Sequence, residues 1–445
     1  MRKILNNLKL IVSNKKIMLL LILFLFVYRL IYGLFAEFWF EDELQIYLIG
    51  LKSYTTGTWP FFGPDIVYTE TQIPGALQAL LISLPLKILA IPESPTIFLN
   101  ILSFASLLCF AYYIHKRIPA IPFWLSTSWT MLLSWSMDYG TRVVNPSYVL
   151  VFSIPFFIAL FELLPIYNKP LFSRKIAYLI LGICPAFIMQ LHMSYVLLFP
   201  LICIVLFFEF RNKSGIPKQK IHVLFLFLGI LIGISTLLPT YFFAENWKST
   251  SSNIVFNIDN LKNIITILMR YLSFASFEVP YILGGSTAKR LEVIKYSIWV
   301  VPFVLYLLLF GFLMIGSFIY VYFKNKEQNV WMKIKYLTLF IYLLTFLSFF
   351  FSIKGPSSHT FFIVFPMIVY YSFYCHAYLL EKYKLWKKLM YIALVSSVFF
   401  YVAIANYNYK HKSMYKNRSQ IEKAITQKDH NILGKRRSDT WKNGY

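Results

Sequence analysis

Apolar runs long enough to cross a membrane recur along this chain, and short basic stretches separate them. The first, residues 17–35 (IMLLLILFLFVYRLIYGLF), has Arg29 as its only charged residue. About 20 apolar residues span a bilayer core as a helix. Lipid offers no hydrogen-bond partners, so each such run must satisfy its own backbone, which a helix does. Composition agrees: 58% of residues are hydrophobic and 14% charged, where a soluble chain carries about a quarter charged. The expectation is an all-α polytopic membrane protein. Its net charge of +24 would suit a nucleic-acid binder, but the basic residues fall in loops between apolar runs, so no nucleic-acid partner is expected. Cys109, Cys184, Cys203 and Cys375 all lie within apolar segments and read as small packed hydrophobes. The first run is too long for a signal-peptide core, so it is expected to stay as an anchor.

The basic loops orient the spans. Arg2, Lys3, Lys9, Lys15 and Lys16 precede the first run, which predicts a cytoplasmic N-terminus. A first outer loop, 36–94, follows. Within it residues 74–91 carry Lys87 and two prolines, Pro74 and Pro85, and read as an interfacial helix. Spans are then expected at 95–114, 119–137, 147–166, 176–191, 193–210, 221–243, 296–322, 336–353, 359–380 and 389–405. A long outer loop covers 244–294, and a basic tail covers 406–445. Counted this way there are about eleven spans, and every short Lys/Arg-rich loop faces inward. Only the basic tail, placed outside, goes against the charge rule, which binds long tails weakly.

On this threading the unusual polar residues collect on the outer face: Asp42, Glu43, Asp65, Glu70, Asp138, Arg142, Asn145, His192, Glu245, Arg270, Glu278, Lys354 and His359. Each has a plain explanation. Asp65 and Glu70 can simply be solvated. Asp138 and Arg142, four apart, can form a local ion pair. His192 can be a satisfied interface residue, and Lys354 and Arg29 can snorkel to the surface. Their shared face predicts instead a polar cavity built from several loops, in which Asp42, Asp138, His192 and Lys354 converge. No internal repeat stands out.

The cluster FWFEDELQIY carries an Asp-Glu pair, Asp42 and Glu43, with Tyr47 four residues beyond the Glu. Gly57 and a proline-led apolar helix from Pro74 follow, then Asp138 in a second outer loop. The late stretch KGPSSHTFFIVFP holds Lys354, His359 and Pro366. Together these resemble the GT-C superfamily of membrane glycosyltransferases, in the branch of protein mannosyltransferases and lipid A aminoarabinose transferases. The second loop departs from the pattern in having no Asp-x-Asp pair. The resemblance covers residues 1–405, which it makes an integral membrane glycosyltransferase domain, and implies a polyprenyl-phosphate-linked sugar donor and a lipid, glycan or protein acceptor. Transfer would occur on the extracytoplasmic side of the plasma (bacterial inner) membrane. It implies catalytic Asp42, the general base, and Glu43, which orients the acceptor or a cation. Arg142, Arg270, Lys354 and His359 would face the donor phosphate, and Tyr47, Asp138 and His192 the substrate. The resemblance fixes no cofactor; a divalent cation, Mg or Mn, would have Asp138 as its ligand. Two other functions remain: a transporter or flippase of lipid-linked sugars, which wants charges near the midplane, and a polysaccharide polymerase or ligase, which wants arginine-rich outer loops.

Overall fold

The structure is a computed structural model, and it describes residues 15–37, 41–66, 71–211, 216–244, 256–327, 329–351, 358–411 and 414–436. Nearly everything described is helix. Among the described residues, six helices are long and apolar enough to cross a membrane: Lys15–Ala36, Ser94–Arg117, Met193–Arg211, Ile298–Lys324, Val330–Phe351 and Lys384–His411. The chain is an all-α polytopic membrane protein.

Helix α1 is Lys15–Ala36 and α2 is Glu41–Thr56. A two-stranded antiparallel hairpin, β1 Phe62–Ile66 and β2 Thr71–Pro74, leads to α3, Leu77–Ile88. This twelve-residue helix falls within 74–91, and at about 1.5 Å per residue it is too short to cross. Asp65, expected in water, is instead buried in the hairpin, where it accepts hydrogen bonds from Gln45 and from Gln72 at 3.1 Å. It ties β1 to α2 and to β2.

Helix α4, Ser94–Arg117, matches the span expected at 95–114. The next span, expected as one helix over 119–137, is broken. It consists of α5, Phe123–Leu132, and a single turn, α6, Ser134–Asp138, with Leu133 extended between them (φ −61°, ψ 142°). A break in a buried helix exposes carbonyls that need donors. Arg29 supplies them: Nη1 donates to the Met131 carbonyl at 2.5 Å and Nη2 to that of Ser136 at 2.8 Å. Arg29 therefore does not snorkel outward. It turns inward, 1% exposed, and holds the break open.

Then come α7, Val149–Leu163; α8, Arg174–Met189; α9, Phe199–Arg211, continuing a 3-10 turn from Met193; and α10, Ile216–Ile234. Helices α8 and α10 pack backbone to backbone. A Cβ on Gly182 would lie 2.2 Å from the Leu226 carbonyl oxygen, and one on Gly229 2.2 Å from that of Leu179. Lipid tails are as apolar as leucine, so close approach through small residues is what joins such helices.

Short helices α11, Leu238–Phe243, α12, Ile264–Ser273, α13, Val279–Leu283, and α14, Thr287–Tyr296, precede α15, Val301–Lys324. The chain closes with α16, Val330–Ser348, α17, Ser358–Phe362, α18, Phe365–Lys382, α19, Lys384–His411, and α20, Arg418–Thr426. Tyrosine hydroxyls stitch the long helices together: Tyr28 of α1 donates to Val398 of α19, and Tyr306 of α15 to Leu389, each at 2.7 Å.

The tail does not stand apart from the first loop. Arg418 in α20 pairs with Glu93 through Nε at 2.7 Å, and His430 Nδ1 lies 3.1 Å from the Thr55 hydroxyl. The tail and α2 thus lie at the same end of the bundle, as an even number of crossings between them requires.

Candidate functional site

The end of α1, the start of α2 and the turn after α6 meet at that end. Arg142 joins them. Its Nη2 lies 3.2 Å from Asp138 Oδ2 and its Nη1 3.7 Å from Glu43 Oε1. The local pair between Asp138 and Arg142 exists, but it is half of a bridge between the first and second loops. Burial raises both the Glu43 and the Asp138 carboxyls above their ordinary range, and the Arg142 charge opposes it in each. Asp42, next to Glu43 at the N-terminus of α2, is exposed. The site thus sets an exposed carboxylate beside a buried one that is clamped by a guanidinium.

Sequence reasoning passed over Glu37. It sits just beyond α1, 2% exposed. Its Oε1 accepts from the Val143 N–H at 2.9 Å and its Oε2 from the Thr96 hydroxyl at 3.1 Å. Burial pushes this carboxyl up to about 8; the Val143 N–H opposes the rise and the negative charge of Glu43 adds to it. Val143 follows Arg142, so Glu37 fixes the backbone that carries the bridging guanidinium. The same turn is held by Asn100, donating to Thr141 O at 2.9 Å, and by Ser103, donating to Gly140 O at 2.5 Å. Its one visible signal in the sequence was a carboxylate directly after an apolar run.

A second cluster adjoins the first. Arg270 forms an ion pair with Glu278, which also accepts from the Trp135 indole N–H at 2.7 Å and the Ser273 hydroxyl at 3.0 Å. Trp135 stacks on Phe274, ring centroids 4.2 Å apart. Two tyrosines connect the clusters. The Arg142 guanidinium lies over the Tyr139 ring at 5.4 Å, the Tyr139 and Tyr281 hydroxyls are 3.1 Å apart, and Arg270 lies over the Tyr281 ring at 5.8 Å. Arg142 and Arg270, 128 positions apart in the sequence, therefore belong to one aromatic-lined polar region.

The other expected residues fall as follows. The Tyr47 hydroxyl donates to the Pro92 carbonyl at 3.0 Å and so braces α2 against the loop before α4. His192 caps the 3-10 turn Met193–Leu198: its Nδ1 accepts from the Ser194 N–H at 3.2 Å and lies 2.7 Å from the Ser194 hydroxyl. The contacts described for His192 are with Ser194, not with Asp138 or Glu43. Lys354, Glu70 and Glu245 lie outside the described residues, and of His359 only its place in α17 is described. Among the described residues, no three His, Cys, Asp or Glu side chains gather to hold a metal ion, and the Asp138 carboxylate faces Arg142.

Fold and site together define a multi-pass helical membrane protein with an ion-paired, aromatic-walled polar centre at one end of its bundle. Comparison with known proteins adds a neighbour rather than a family. No protein-family model matches the chain, and no curated protein matches it in sequence. It is similar to the crystal structure of ArnT from Cupriavidus metallidurans bound to undecaprenyl phosphate, at 12% identity and a TM-score of 0.48, over 95% of this chain and 77% of that one.

Proposed function

We propose that this protein is an integral membrane glycosyltransferase, moving a sugar from a polyprenyl-phosphate donor to an acceptor on the extracytoplasmic side of the membrane. The observation that carries the reading is the Arg142 bridge. It brings the Asp-Glu pair of the first loop against Asp138 of the second and leaves Asp42 exposed beside them. The sequence resemblance assigns chemistry to the same residues.

In the reaction the bond from sugar C1 to the donor phosphate oxygen breaks, and a bond from C1 to the acceptor oxygen or nitrogen forms. The bonding electrons leave with the polyprenyl phosphate, and the acceptor's proton goes to a base. Asp42 is that base, because among the described carboxylates of this cluster it is the exposed one. Charge develops on the leaving phosphate and is best met by fixed cations. In this reading Arg270, Lys354 and His359 take that role. Arg142, already shared by two carboxylates, sets the position of Glu43 and Asp138 and supports the phosphate from behind. The aromatic wall of Trp135, Tyr139 and Tyr281 offers faces on which a sugar ring stacks. If the enzyme uses a divalent cation, Asp138 is its ligand; no step above depends on one.

The test is turnover of a polyprenyl-phosphate-linked sugar by purified protein. Asp42→Asn keeps size and polarity but cannot take the proton, and should lower turnover about 10²–10⁴-fold with an unchanged melting temperature. Near-normal turnover in that variant would remove Asp42 as base. Movement of the intact lipid-linked sugar across vesicles, with no transfer, would replace the enzyme reading by a transporter.

A further inference from the structure

At the opposite end of the bundle lies a basic pocket that sugar transfer leaves unused. Helix α4 connects the two ends. Its Thr96 binds Glu37 in the site, and its Arg117 forms an ion pair with Glu162 at the far end. Twenty-one residues of helix separate them, about 32 Å at 1.5 Å per residue, which is the thickness of a bilayer core. The far end therefore sits at the headgroup level of the other leaflet.

There the loop after α7 and the end of α9 enclose a pocket of about 440 Å³. Leu163, Leu164 and Phe208 give it an apolar wall, and Arg174 and Arg211 are its two cations. The carboxylates nearby are already engaged. Glu162 takes Arg117, the Tyr113 hydroxyl at 2.6 Å and the Leu171 N–H at 2.7 Å. Glu209 takes Arg174 at 2.5 Å, His222 at 2.7 Å and the Tyr178 hydroxyl at 3.0 Å. Arg211, with Lys169 in the adjoining loop and Lys175 in the first turn of α8, leaves the rim positive. The guanidinium of Arg211 lies 6.0 Å over the Phe207 ring. Phe207 and Phe210 are 58% and 59% exposed, so bare aromatic surface runs on from the basic rim toward the membrane interior. A water-soluble phosphate would use only the cations. A lipid phosphate uses both surfaces, and basic pockets between spans at a membrane face suit such headgroups.

We propose that this pocket binds an anionic phospholipid, with Arg174 and Arg211 facing its phosphate and its acyl chains lying against Phe207 and Phe208.

The experiment is native mass spectrometry of the full chain in neutral detergent, with phosphatidylglycerol or phosphatidylcholine added, and with inorganic phosphate as a competitor. Phosphatidylglycerol should be retained about tenfold or more over phosphatidylcholine, from about 1 kcal/mol per basic residue near the surface. Arg174→Gln with Arg211→Gln should bring it down to the phosphatidylcholine level, while Lys289→Gln, in the helix α14 whose Glu292 accepts from Tyr407 at the tail end of α19, should change nothing. Since Arg174 also braces Glu209, Arg211→Gln alone, which leaves that pair intact, should remove part of the preference at an unchanged melting temperature. Equal retention of the two lipids, or full retention by the double variant, overturns the proposal. So does displacement of bound lipid by millimolar inorganic phosphate, which would mark the ligand as a free anion.

Discussion

Glu37 shows how one side chain can govern a site it does not enter. It holds Val143 N–H with one oxygen and Thr96 with the other, and so places Arg142. Its carboxyl is raised from an ordinary 4.5 to about 8, by burial, against the Val143 N–H and with help from Glu43. The fold therefore favours the protonated form. Stabilisation from a group raised in this way is full below its unfolded value and lost as pH climbs through its folded value. The melting temperature of the wild type, measured against Glu37→Gln as a permanently neutral mimic, should fall between pH 4.5 and 8 and level off above. A difference that stays flat with pH would show that Glu37 does not titrate in this window. Below pH 4.5, Glu37→Ala should cost about 1–3 kcal/mol, because it leaves two buried donors unpaired, and the cost should shrink as pH rises toward 8. At this scale the sequence was a partial guide. Asp42, Glu43 and Asp138 stood out as carboxylates at the ends of apolar runs, and three of the expected residues, Glu43, Asp138 and Arg142, do meet. Glu37 did not stand out, because its importance lies in partners 59 and 106 positions away, and no local pattern carries that information. Arg29 was visible as a charge inside a span, but its partners were not. The break at Leu133 and the end of α6 free the carbonyls it serves.

At the scale of elements, hydropathy located the long apolar helices, because apolar length alone decides what a bilayer accepts, but not the short helices of the loops and tail, such as α2, α12 and α20. It misjudged the stretch 119–137, where total apolarity hides a helix interrupted part-way. It also said nothing of which helices touch. The pairing of α8 with α10 rests on Gly182 and Gly229, whose hydrogens occupy space that a Cβ would need. Gly229→Leu should separate the two helices and destabilise the protein by about 1–3 kcal/mol through overpacking. A matched change at Gly316, where a Cβ would meet nothing within 4 Å, should be far milder. Thermal unfolding in detergent measures both. Equal losses at the two positions would show that the close approach of α8 and α10 adds no stability.

For the whole molecule, parity of crossings was the strongest argument the sequence offered, and the tail was its one discord. The pairing of Arg418 with Glu93, and of His430 with Thr55, places the tail at the same end as the first loop. Arg418→Ala should free the tail. Limited proteolysis of purified protein should then cut beyond residue 411 several-fold faster, with membrane insertion unchanged; the pair joins a half-exposed arginine to a buried Glu93, so its loss should also lower the melting temperature modestly. Unaltered cleavage would mean that other contacts hold the tail. The clasp also has a consequence for biogenesis. Glu93 leaves the ribosome 325 residues before the arginine that secures it. At about 5–20 residues per second, the first loop waits on the order of 15–65 s before its last partner is made. The end of the protein that bears Asp42 and Glu43 is therefore among the first parts synthesised and the last to be finished, and a chain released early by a premature stop would carry those carboxylates without their clasp.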